Sequence, residues 1–167
     1  MEIPASIFTQ YREVADAFIN DLGVNCRINY LPRVEECINC VFDSVSNKSS
    51  NVYKSGGPYP FDIICPYCDG VGYKETDCNE VIKLRINWQR KFFKTIAPLV
   101  NIPDNTVQVI GFIYDLPKIQ KATHVNLNID QEGYGAYAYS LFGEPCTHGF
   151  LQNRYFMCFL TREPDKS

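Results

Sequence analysis

A mainly β fold, an antiparallel barrel or sandwich with an N-terminal α-helix and a four-cysteine insertion, is what this sequence predicts. Three observations carry that prediction. Apolar and polar residues alternate with period two in about six separate runs. Only the first twenty or so residues show a helical period instead. Two Cys-x-x-Cys pairs, Cys37–Cys40 and Cys65–Cys68, lie close together between the first strand-like run and the second.

The helix is predicted over residues 3–23. Ile7, Tyr11, Val14, Ala15, Phe18 and Leu22 recur at three- and four-residue spacing as an apolar stripe, with Arg12, Glu13, Asp16 and Asn20 largely on the other side. Pro4 suits the first turn and Gly23 the C-terminal cap. Packing of the stripe on the chain's own domain is expected, ahead of docking on a partner. The period then changes: Val24, Cys26, Ile28 and Tyr30 alternate with Asn25, Arg27 and Asn29 as a half-buried strand that Pro32 ends.

Residues 33–78 form the predicted insertion into a single β-domain of residues 1–167. A Cys-x-x-Cys turn aims two thiolates at one point, and two such turns supply the four sulfurs of a tetrahedral site. Gly70 and Gly72 let the backbone curl around a sulfur. Disulfides and buried free thiols are the alternatives. No positively charged, apolar leader opens Met1-Glu2-Ile3-Pro4, so secretion is not expected and metal ligation by Cys37, Cys40, Cys65 and Cys68 is favoured. Four thiolates with no open position make a structural, zinc-ribbon-like site, with zinc favoured over an iron–sulfur cluster. The polar stretch Ser44–Pro60 is expected as an Ω-like loop clamped at both ends, with Tyr53, Tyr59 and Phe61 as anchors. Cys26 and Cys158 fall in apolar runs and are expected to pack as small hydrophobes. Cys78 has no partner at this spacing. Cys146-Thr147-His148 makes at most a weak half-site.

From residue 81 the pattern is nearly all strand. Ile82, Leu84, Ile86 and Trp88 alternate with Lys83, Arg85, Asn87 and Gln89. Thr106–Tyr114 follows, with Gly111 as a bulge or bend, then Val125–Asp130, Tyr137–Phe142 and Arg154–Arg162. Pro98, Pro103, Pro117, Gly133, Gly135, Gly143, Pro145 and Gly149 are read as connections.

Composition narrows the function classes. Apolar residues at 46% and charged residues at 21% describe a globular chain, and no apolar run is long enough for a bilayer-spanning helix, so no membrane partner is expected. Net charge is −3, divided as −6 over residues 1–81 and +3 over 82–167. No nucleophile elbow, phosphate loop, dinucleotide fingerprint or His-Glu-x-x-His helix occurs, and Cys146 with His148 is a poor nucleophile–base pair, so the chain is not expected to be an enzyme. Lys83, Arg85, Arg90, Lys91 and Lys94 are interleaved with Trp88, Phe92 and Phe93. Such a cluster can meet nucleic-acid phosphates, although a solvated strand face explains it more simply. A zinc-ribbon or OB-like nucleic-acid-binding protein is the alternative functional reading, against which stands a sequence pI near 5.4.

Cys65-Pro66-Tyr67-Cys68-Asp69-Gly70-Val71-Gly72 resembles one Cys-x-x-Cys-x-Gly-x-Gly knuckle of the DnaJ-type co-chaperone zinc domain. It occurs once here, and no His-Pro-Asp is present, so the resemblance implies metal ligation rather than chaperone activity. In the order of its parts, a short leading helix, a modest β-barrel with a long insertion and an aromatic closing strand, the chain resembles the neck proteins of tailed bacteriophages. These are the head-completion or head-closure subunits that join portal to tail. Ser49–Pro58, Gly143-Glu144-Pro145 and Asn153-Arg154-Tyr155-Phe156 carry this likeness. It implies a virion protein made in the host cytoplasm, a homo-oligomeric ring between portal or adaptor and tail proteins. It also implies non-specific contact with channel DNA through Lys83, Arg85, Arg90, Lys91 and Lys94.

Overall fold

The computed structural model describes residues 5–89, 102–132, 137–149 and 153–164. Outside them lie Ile3 and Pro4 of the predicted helix, the predicted connections at Pro98, Gly133 and Gly135, and Arg90, Lys91 and Lys94 with Phe92 and Phe93. Leu31–Cys78 makes one compact unit, and the chain on either side of it makes the other.

The outer unit is a closed antiparallel barrel with a leading helix. Its helix, α1, spans Ala5–Leu22. The strands are β1 (Val24–Asn29), β6 (Asn79–Asn87), β7 (Thr106–Phe112), β8 (His124–Asn126), β9 (Ala138–His148) and β10 (Tyr155–Arg162), in the spatial order β1-β6-β7-β10-β9-β8, with β8 pairing back to β1. The alternation read from sequence is the alternation of this wall. Ile82, Leu84 and Ile86 point inward with Cys26, Ile28, Val109, Val125, Phe156 and Leu160, whereas Trp88 is 47% exposed. Cys26 and Cys158 are buried core residues, and burial pushes their thiols up to about 11 and about 12.

Gly111 is neither a bulge nor a bend. The β7–β10 register runs unbroken through Gly111↔Phe156. A Cβ at Gly111 would lie 2.6 Å from the Phe156 ring and 2.7 Å from Leu84 Cδ2, so the missing side chain makes room for Phe156 in the barrel. Nor are Gly143 and Pro145 connections. They lie inside β9, where the register slips between Met157↔Cys146 and Phe159↔Phe142. Gly143-Glu144-Pro145 is thus a bulge, in which proline's missing N–H breaks no ladder bond and Gly143 takes φ +71°. Cys146 and His148 accordingly sit in a strand rather than a loop. β7 stops at Phe112. A 3-10 turn (Ile113–Asp115) then leads into a short helix, α2 (Leu116–Lys121), with Pro117 in its first turn, where proline loses no hydrogen bond.

Helix α1 reaches the barrel by a different face from the one its apolar stripe suggests. Ile19 is 1% exposed, whereas Val14 is 71% and Leu22 52% exposed. At about 100° per residue, the line Asp16–Ile19–Gly23 lies roughly a third of a turn from the stripe. Polar contacts set this rotation. The guanidinium of Arg154 donates to both Asp16 carboxylate oxygens (2.7 and 3.3 Å), and the Tyr155 hydroxyl donates to Oδ1 (2.7 Å). At the helix's C-terminus, Lys83 Nζ donates to the Asn20 carbonyl (2.9 Å) and Arg85 to the Leu22 carbonyl (3.1 Å). Two cations of the basic cluster thereby cap α1. Among the described residues, no helix is long and apolar enough to cross a membrane.

Candidate metal centre

The unit Leu31–Cys78 is built from two small ribbons. β2 (Arg33–Glu36) pairs with β5 (Tyr73–Thr76), and β3 (Cys40–Asp43) pairs with β4 (Lys48–Tyr53), both antiparallel. Ser44–Pro60 is therefore not the Ω-like loop expected, since the whole of β4 lies within it. Its polar residues make the turn. Asp43 Oδ1 accepts from the Val45 N–H (3.0 Å), Asp43 Oδ2 accepts from the Ser46 hydroxyl (2.7 Å), and Asn47 takes φ +51°.

The ribbons bring both Cys-x-x-Cys turns together. Cys37, Cys40, Cys65 and Cys68 are all buried, and their four sulfurs lie within 4.8 Å of one another. Cys37 Sγ stands 3.7 Å from Cys65 Sγ, and Cys40 Sγ 3.7 Å from Cys68 Sγ, so each knuckle faces the other. Phe61 and Tyr67 pack against the cluster. No sulfur is cross-linked to another. Four convergent thiols in so small a volume can hold a metal ion.

Peptide and amide donors surround these sulfurs. The Asn39 N–H donates to Cys37 Sγ (3.4 Å), the Gly72 N–H to Cys68 Sγ (3.3 Å), and Asn39 Nδ2 to Cys65 Sγ (3.3 Å). Such bonds favour thiolate over thiol. At Cys65, burial acts to raise the thiol, but donors from Asn39 and from the Tyr67 and Cys68 backbone outweigh it and bring the group down to about 6. Burial prevails at Cys40, which is pushed up to about 12, and it raises Cys68 as well.

Gly72 is needed at the closest approach. It takes φ +92°, and a Cβ there would lie 2.5 Å from the Ser49 nitrogen of the facing hairpin. Gly70, at φ +80°, completes the curl with Asp69 at φ +50°.

Asn39 is the residue that sequence reasoning missed. It is fully buried, its Oδ1 accepts from the Tyr59 N–H (2.8 Å), and its Nδ2 donates to the Tyr59 carbonyl (2.8 Å). Its signal was present: a short amide inside a Cys-x-x-Cys, between two cysteines that any ion would bury. Of the expected loop anchors, Tyr53 donates its hydroxyl to the Gly57 carbonyl (2.7 Å) and meets Phe61 edge-on, while Tyr59 stacks on Tyr67.

Other predicted site residues lie elsewhere. Lys83 and Arg85 belong to the barrel and hold α1. Cys146 is exposed and Cys78 half-buried. His148 packs near the Tyr155 ring, and burial lowers its pKa. Comparison of the chain with protein-family models, curated proteins and solved structures finds no match.

Proposed function

We propose that this chain is a structural assembly protein in which Cys37, Cys40, Cys65 and Cys68 hold a structural zinc ion. More finely, we propose a ring-forming neck, or head-to-tail connector, subunit of a tailed bacteriophage. One observation carries the structural reading: the buried apolar core of Leu31–Cys78 is the four cysteines, with Phe61 and Tyr67 against them. A unit whose core is its metal site has no residue to spare for substrate at that site, so the ion's work is to shape a surface.

Zinc fits the sulfur spacing. A tetrahedral ion with Zn–S bonds of about 2.3 Å places sulfurs roughly 3.8 Å apart, close to the 3.7 Å of the two facing pairs. An iron–sulfur cluster interposes several atoms between its ligands and calls for a wider cage. The barrel with its leading helix and inserted unit supports the neck reading through the order of parts alone. The nucleic-acid alternative draws on a basic cluster whose Lys83 and Arg85 are engaged at the end of α1.

Two measurements test the proposal. Elemental analysis of the purified chain is expected to give one zinc per molecule; iron, or no metal, overturns the zinc assignment. Light scattering is expected to give a ring-sized oligomer. A 19.1 kDa monomer that binds single-stranded DNA, with affinity falling steeply in salt, overturns the connector assignment.

A further inference from the structure

Each sulfur of the metal centre faces one from the other knuckle, and each facing pair has its own clamp. Cys37 Sγ and Cys65 Sγ are 3.7 Å apart, and Asn39 holds both: its N–H donates to Cys37 (3.4 Å) and its Nδ2 to Cys65 (3.3 Å). Cys40 Sγ and Cys68 Sγ are also 3.7 Å apart. Here the Ser49 side chain hydrogen-bonds Cys40, and the Gly72 N–H donates to Cys68 (3.3 Å). Ser49 and Gly72 are themselves in close contact, since a Cβ on Gly72 would lie 2.5 Å from the Ser49 nitrogen. The two pairs have no sulfur in common.

This arrangement suits a second covalent state. A disulfide has an S–S bond of about 2.05 Å, so each sulfur has only about 0.8 Å to travel. Because no sulfur is shared, both bonds can close in one molecule. Each joins positions 28 residues apart and ties one knuckle to the other. Disulfides within the knuckles, Cys37–Cys40 and Cys65–Cys68, would close only their own turns and leave the two knuckles unjoined.

We infer that oxidation by hydrogen peroxide converts this site into two disulfides, Cys37–Cys65 and Cys40–Cys68, which release the ion and keep Leu31–Cys78 stapled without it. In each pair one thiolate attacks a peroxide oxygen, the O–O bond breaks, and a sulfenic acid and a hydroxide form. The facing thiolate then attacks the sulfenic sulfur and expels a second hydroxide as the S–S bond closes. Each peroxide thereby takes two electrons from one pair. For the whole site, four thiolates around Zn2+, two peroxides and four protons give two disulfides, free Zn2+ and four waters. Zinc staples the unit in reducing surroundings, and disulfides staple it in oxidising ones. The inference rests on the zinc reading above for the identity of the released ion.

The test uses the full-length, zinc-loaded chain carrying Cys78→Ser and Cys146→Ser, which removes the half-buried and the exposed thiol outside the site. Hydrogen peroxide is expected to release the zinc, read with a chromophoric indicator. Peptide mapping after denaturation is expected to find Cys37 joined to Cys65 and Cys40 to Cys68. Trypsin is expected to spare Lys48, Lys54 and Lys74 in the oxidised, metal-free chain and to cut there once a thiol reductant is added with chelator. Zinc retained under excess peroxide, any other pairing, or an oxidised chain cut as fast as the reduced and chelated one overturns the inference. Zinc content before oxidation reads the earlier proposal by itself: without zinc at the start the metal assignment fails, while the disulfide map still decides the pairing.

Discussion

The side-chain amide of Asn39 pairs with both backbone groups of Tyr59, accepting from its N–H and donating to its carbonyl, each at 2.8 Å. The same Nδ2 reaches Cys65 Sγ at 3.3 Å. One buried amide thereby ties the loop after β4 to the first knuckle and orients a sulfur of the second. Asn39→Ala leaves two backbone groups unpaired, at about 1–3 kcal/mol each, and removes a donor to a ligand, a class of change that typically weakens metal binding about 10–100-fold. Asn39→Asp is expected to be worse, because a carboxylate can accept from Tyr59 but cannot donate to its carbonyl or to a thiolate. Competition with a chromophoric chelator measures both.

Gly72 and Gly56 make a controlled pair. Both take positive φ, +92° and +88°, but a Cβ at Gly56 meets nothing within 4 Å, whereas one at Gly72 runs into the Ser49 nitrogen at 2.5 Å. Gly56→Ala is expected to cost only the left-handed strain, about 1–2 kcal/mol. Gly72→Ala adds overpacking against backbone that cannot step aside, about 1–3 kcal/mol more, and should lower metal occupancy. Thermal unfolding of the two metal-loaded variants, side by side, isolates the steric part.

These residues show what could be read from the chain and what could not. Strand alternation was legible because a barrel wall repeats every two residues: Ile82, Leu84 and Ile86 declare their face without any partner. The four cysteines were legible because spacing alone aims two sulfurs at one point. The rotation of α1 was not, because it depends on Arg154 and Tyr155 reaching Asp16 from the far end of the chain. Gly111, Gly143 and Pro145 were misread for one reason. Glycine and proline mark a break in local chain geometry, but only the facing strand decides whether the break is a turn, a bulge or room for a ring such as Phe156. Asn39 needed its partner Tyr59, twenty residues on, to acquire a role.

Lys118 bridges two carboxylates in the barrel, Asp115 Oδ1 at 2.8 Å and Glu80 Oε2 at 3.1 Å, and Glu80 also accepts from the Tyr30 hydroxyl. Asp115 is 5% exposed. Lys118→Met is expected to cost about 3 kcal/mol, because it strands a buried charge. Adding Asp115→Asn should recover part of that loss. The pH window follows from two opposite shifts. The Asp115 carboxylate, then Glu80, holds Lys118 up at about 12, so this contribution is complete below the unfolded value of about 10.4 and is lost as pH rises through 12. The Tyr30 hydroxyl, then Lys118, holds Glu80 below its ordinary value, so its contribution is present above about 4.3 and fades as pH falls. Urea unfolding of wild type and Lys118→Met across this range should show the gap widest between about pH 5 and 10.

Gly111 and Phe156 test the barrel interior. Gly111→Ala forces a methyl to within 2.6 Å of the Phe156 ring and 2.7 Å of Leu84 and is expected to cost about 1–3 kcal/mol. Phe156→Leu alone leaves a cavity and is also expected to destabilise, by a comparable amount. Together the two should lose less than their sum, because the added methyl occupies space the ring gave up. Additive losses in a double-mutant cycle would mean that the strand, not the ring, yields.

Metal removal should divide the chain into a part that melts and a part that does not. The barrel core runs from Cys26 to Leu160 and includes nothing from Leu31–Cys78. That unit's own buried core is four cysteines, and protonated thiols without an ion offer little apolar area to offset the entropy of ordering its two ribbons. Chelation is therefore expected to expose Lys48, Lys54 and Lys74 to trypsin while Lys83 and Arg85 stay protected in β6. Trp88, the single tryptophan of the chain, directly follows β6, so its fluorescence is a probe of the barrel unit. It should hold steady as metal leaves and change only at a later, separate thermal transition. A Trp88 signal that collapses with chelation would mean instead that the metal sustains the barrel as well.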